Sequence, residues 1–84
     1  MSDSYAALRA RVEMLHREFP VGSTVADNGK VFKITSHNEP EESWADMDYY
    51  WPFNGVRWIK SRWSWSKREL LISDSAVAVD NPEN

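Results

Sequence analysis

STVADNGKVFKIT, residues 23–35, decides the fold. Asn28-Gly29 stands between two runs rich in β-branched and aromatic residues. Both central positions of a two-residue hairpin turn need positive φ, which Asn and Gly tolerate best, so the stretch predicts a β-hairpin. The turn fixes the register. Asp27 pairs with Lys30, Val25 with Phe32 and Ser23 with Ile34. Val25, Phe32 and Ile34 then share one face, assigned to the core, while Thr24, Ala26, Val31 and Lys33 take the other.

Upstream, Tyr5, Leu8, Val12, Leu15 and Phe19 recur at spacings of three and four. This periodicity predicts one amphipathic helix over residues 4–19, ended by Pro20. Downstream, SHNEPEESWADMD is polar, contains Pro40 and has no period, and reads as a long loop. A second Asn-Gly, Asn54-Gly55, predicts a second hairpin in which Trp51 faces Trp58 and Tyr50 faces Ile59. KRELLI reads as a further strand, with Leu71 in the core. The ISDSA stretch reads as a tight turn, and Val77 to Val79 as a last strand with Val77 inward. Residues 81–84 read as a frayed tail. The fold class expected is α+β, mainly β: one N-terminal helix, then a small antiparallel barrel of about five strands over residues 21–80, in a single domain spanning 1–84.

With 84 residues, no cysteine and a net charge of −3, the chain has neither a disulfide framework nor a thiolate metal site. The N-terminal stretch is charged and has no apolar run, so no signal peptide is expected. No run approaches the ~20 apolar residues of a membrane span. A cytoplasmic, membrane-free protein is the expectation. Charge is distributed in blocks. Glu39, Glu41, Glu42, Asp46 and Asp48 crowd one segment; Arg57, Lys60, Arg62, Lys67 and Arg68 crowd the next; Asp74, Asp80 and Glu83 make the end acidic again.

No set of residues amounts to a reaction. His16 and His37 are the only imidazoles. His37 near Glu39 and Glu41, or Glu42 with Asp46 and Asp48, matches no metal-binding spacing. The serines have no base at a recognisable spacing, and three glycines cannot build a phosphate loop. A non-catalytic protein without cofactor or metal is expected.

Two binding readings remain open. In the first, five tryptophans and three tyrosines exceed what so small a core hides. Such residues dominate interface energies, so the chain reads as a protein-binding module. Its contact surface would be Trp44, Tyr49, Tyr50, Trp51 and Trp58, rimmed by Glu41, Glu42, Asp46 and Asp48, which would steer a basic partner. In the second, Arg57, Lys60, Arg62, Lys67 and Arg68 hold nucleic acid. From Ile59 to Arg68 tryptophan and cation alternate. One extended strand would therefore put them on opposite faces, against a nucleic-acid groove, unless a turn within Ser61 to Ser66 brings them together. Exposed strand edges also make a homodimer an expectation.

Five short strands, a long loop after the second, and ISDSA before the closing VAVD resemble a Src-homology-3-like small barrel. PVGSTVADNGKVFKIT is similar to the first hairpin of many such barrels. The proline-peptide-binding members carry an ALYDY-like stretch that this chain lacks, so their ligand is not carried over. In length and style the chain also resembles the small accessory proteins of bacteriophages and mobile elements. That likeness implies an inhibitor or regulator of a host nucleic-acid enzyme.

Overall fold

The N-terminal periodicity becomes helix α1, Asp3–Glu18, in a computed structural model that describes residues 3–47 and 49–83. The end of its apolar stripe, Leu15 with the following Phe19, packs on the core of an antiparallel sheet of six strands: β1 (Thr24–Asp27), β2 (Lys30–His37), β3 (Phe53–Ile59), β4 (Arg62–Trp63), β5 (Arg68–Leu70) and β6 (Val77–Val79). A short helix, α2 (Glu42–Met47), interrupts the segment read as loop, and packs on α1. The sheet runs β4-β3-β2-β1-β6, with β5 also on β3. The mainly antiparallel architecture with an N-terminal helix is therefore as expected, but the sheet path is open rather than closed into a barrel. No helix among the described residues is long and apolar enough to cross a membrane.

The first hairpin has the register the sequence dictates. Val25 pairs with Phe32 and Asp27 with Lys30 around Asn28 (φ 54°) and Gly29 (φ 76°). Val25 and Ile34 are buried with Phe19, Phe53, Leu70, Ile72 and Ala76, and Leu15 and Phe32 pack against this cluster. Asp27 ties the hairpin to the turn before β6. Its carboxylate accepts from Ser73 backbone N–H at 3.0 Å and from Ser73 Oγ–H at 2.6 Å.

Two expected core residues are outside. Leu71 and Val77 are 41% and 56% exposed. Leu70 pairs with Phe53 on the core face, so alternation turns Leu71 out and Ile72 in. Val77 pairs with Ala26, on the face opposite Val25.

The second Asn-Gly is not a turn. Asn54 and Gly55 lie inside β3, opposite a β-bulge between Ile34 and Ser36. A Cβ on Gly55 would stand 2.5 Å from the Lys33 carbonyl oxygen and 2.6 Å from Leu70 Cδ1. Glycine is required there by close approach, not by turn geometry. Asn54 fastens the bulge: its Nδ2 donates to Ser36 Oγ at 3.0 Å and to Asn38 Oδ1 at 2.9 Å. The expected facing pairs Trp51–Trp58 and Tyr50–Ile59 therefore do not form, and Pro52 precedes the strand instead of lying in it.

The two histidines join α1 to the sheet. His16 donates through Nε2 to the Pro52 carbonyl at 2.8 Å, and His37 through Nε2 to the Phe19 carbonyl at 2.9 Å. Their rings stack with centroids 4.1 Å apart, and Phe53 meets both edge-on. Nε2 is the ring nitrogen that each helix-to-sheet bond uses.

Candidate functional site

The real second hairpin is β3-β4, and it is built from RWIKSRW. Ile59 pairs with Arg62 and Trp58 with Trp63, leaving Lys60 and Ser61 as the two turn residues. Both have positive φ, 52° and 67°, the backbone that a two-residue hairpin turn demands. Neither is glycine or asparagine, so each adds roughly 1–2 kcal/mol of local strain. The hairpin closes behind the turn as Ser64 backbone N–H donates to the Arg57 carbonyl at 2.8 Å. The chain then bends at Trp65 and Ser66 before entering β5. The single strand that separated tryptophan from cation does not exist. A turn and a bend interrupt it.

The consequence is a shared surface. Trp58 and Trp63 pack edge-to-face, centroids 5.0 Å apart at 70°. Lys33 reaches over from β2, with Nζ 5.6 Å from the centre of the Trp63 ring, within cation–π range. Sharing Trp63 with that pair, a groove of about 190 Å³ is lined by Ile59, Lys60, Arg62, Trp63, Ser64 and Trp65. Trp65 is 93% exposed. Two indoles and two cations thus line one groove. Lys60, Arg62, Lys67 and Arg68 are all exposed and, among the described residues, form no salt bridge. Arg57 differs from them. It pairs opposite Phe32, is half-buried, and its Nε is buried without a hydrogen-bond partner.

The acidic aromatic plate is brought together only in part. Trp44 meets Trp51 at 5.1 Å and Tyr50 at 6.4 Å, and Tyr49 meets Trp51 at 5.4 Å. Trp58 belongs to the other hairpin, because Asn54-Gly55 makes no turn to return it to Trp51. Trp44 is 1% exposed, so it is the lid of this end of the molecule and not an open contact surface. Trp51 and Tyr50 are half-buried, and Tyr49 is 52% exposed. Tyr50 is anchored from α1, its hydroxyl accepting from Arg11 Nε at 2.9 Å. The Arg11 guanidinium is held more firmly protonated by Asp74 first and by Tyr50 second. Glu41, Glu42 and Asp46 are exposed beside this lid; Asp48 lies outside the described residues.

Trp63 and Trp65 lie in the basic aromatic stretch, but strand alternation puts them on its inward face, and Lys33 lies outside both expected sites. One signal lies in W-I-K-S-R-W. Tryptophans five apart face each other if the two residues midway form the turn. Lys-Ser lacks the residues that favour positive φ in a two-residue turn, and Asn54-Gly55 nearby has both. Comparison with protein-family models, with curated proteins and with solved structures finds no match for the chain.

Proposed function

We propose that the chain is a non-catalytic binding module that holds single-stranded nucleic acid on the β3-β4 hairpin. One observation carries this reading. The turn at Lys60-Ser61 puts Lys60 and Arg62 in the same groove as Trp63 and Trp65. Bases stack on aromatic faces while cations track the phosphates, and both must line one path. Double-stranded readout is less suited, since it needs an element that fills a groove and reaches base edges. The scaffold in this reading is Src-homology-3-like. Supporting it are the last strand lying beside the first and the tight turn that leads into β6.

The test is a titration with fluorescent single-stranded DNA and RNA at low and then rising salt. Four exposed cations contacting phosphates give a log–log salt slope of about −2 to −3. No binding at low salt overturns the reading.

A second reading, with a protein partner of basic surface, keeps one observation in its favour. Met47 and Tyr49 are 50% and 52% exposed beside the carboxylates of Glu41, Glu42 and Asp46. An inhibitor or regulator of a host nucleic-acid enzyme, of the kind phages and mobile elements carry, would use that side. Charge reversal at Glu41, Glu42 and Asp46 would then abolish capture of that partner from the native host. Self-pairing along the free edge of β6 is the route to a homodimer. Sedimentation as a monomer at high micromolar concentration rejects it.

A further inference from the structure

Trp63 uses its indole N–H on the chain's own acidic end. Nε1 donates to Glu83 Oε1 at 2.7 Å. Glu83 is delivered there by a local bend, in which its backbone N–H donates to Asn81 Oδ1 at 2.9 Å. The carboxylate forms one wall of a cleft of about 600 Å³, with Trp58, Ser61, Arg62, Trp63 and Pro82 as the others. Arg62 lines the same cleft yet makes no ion pair with Glu83. An anion thus already sits on one donor of this cleft, and the guanidinium beside it forms no salt bridge among the described residues. Either a carboxylate or a phosphodiester can bridge both donors through its two oxygens, but Glu83 as held engages only the indole, so Arg62 is left for an incoming phosphodiester.

We infer that Glu83 occupies, within the chain, an anion subsite formed by the Trp63 indole N–H and Arg62, which a phosphodiester of bound single-stranded nucleic acid takes over. The inference rests on the nucleic-acid reading above and adds a control to it. Glu83 is displaced when ligand binds, and until then its charge repels the incoming phosphates. A carboxylate at this point weakens binding and selects for strands whose phosphates reach both donors.

The experiment uses the full chain and single-stranded oligothymidylate of about a dozen nucleotides, a length within the usual site size of small barrels. Glu83→Gln keeps an oxygen for the indole and removes the charge. It is expected to tighten binding about three- to tenfold, because a neutral amide oxygen holds the indole less firmly than a carboxylate and no longer repels the phosphate. Trp63→Phe in that background keeps a ring, removes the donor and cancels the gain. The Trp63 indole N–H resonance in the wild-type protein is expected to move both on Glu83→Gln substitution and on oligothymidylate addition. Equal affinity of wild type and Glu83→Gln overturns the inference and leaves the hairpin reading standing. Absence of binding by both proteins overturns the two together. Binding of an acidic peptide in place of the oligonucleotide overturns the assignment of the subsite to phosphate.

Discussion

Trp58 and Trp63 face each other across a two-residue turn, with ring centroids 5.0 Å apart. That pairing fixes where the basic residues go. It makes Lys60 the tip of a hairpin and puts Arg62 on the returning strand beside Trp65. A cross-strand aromatic pair contributes about 0.5–1.5 kcal/mol beyond its buried area, which offsets part of the strain of about 2–4 kcal/mol in a turn without glycine.

The strain gives a prediction. Ser61 holds φ 67°, a conformation glycine adopts freely. Ser61→Gly should stabilise the protein by about 1 kcal/mol. For a domain of this size that raises the melting temperature by roughly 4–8 °C. A variant that melts at or below the wild-type temperature would show that the turn is not formed as described.

Gly55→Ala should act in the opposite direction. The added methyl meets the Lys33 carbonyl at 2.5 Å, and a backbone oxygen paired in the sheet cannot step aside. The expected loss is about 3 kcal/mol, the upper end for overpacking. Denaturant unfolding measures it. A neutral result would mean that Asn54-Gly55 is a turn after all.

Trp44 separates lid from interface. Its ring is 1% exposed, so Trp44→Ala should cost about 3–5 kcal/mol, a large share of a small domain's stability. Its Nε1 is buried without a partner, a state that costs about 1–3 kcal/mol. Trp44→Phe removes that orphan donor along with some volume and should be far milder than Trp44→Ala. Equal melting temperatures for Trp44→Ala and wild type would restore Trp44 to the contact surface.

The fold was legible wherever local chemistry and global need agreed. Asn28-Gly29 is both a good turn and the turn used, and the stripe from Leu8 to Phe19 is both periodic and packed. The site was obscured where the two diverged. Asn54-Gly55 has turn chemistry, but its glycine serves close packing and its asparagine fastens a bulge. Lys60-Ser61 lacks the residues that favour positive φ, but the pairing of the tryptophans around it sets the turn there. Strand alternation turned the cations outward, as they are, but also turned Trp65 inward, where it is 93% exposed, because a reversal at Lys60-Ser61 changes which side chains share a face. Burial of Trp44 depends on α2 folding back onto α1, a long-range contact without periodicity in the sequence.

Trp65 tests the central claim most directly. At 93% exposure it supports no core, so Trp65→Ala should leave stability within about 0.5 kcal/mol of wild type. Loss of one stacking platform costs about 1–3 kcal/mol per base. The dissociation constant for single-stranded oligothymidylate, measured by fluorescence anisotropy at low salt, should therefore rise at least about fivefold in a variant that is otherwise intact. An unchanged dissociation constant in a fully folded Trp65→Ala protein would contradict the assignment of the β3-β4 hairpin as a nucleic-acid-binding surface.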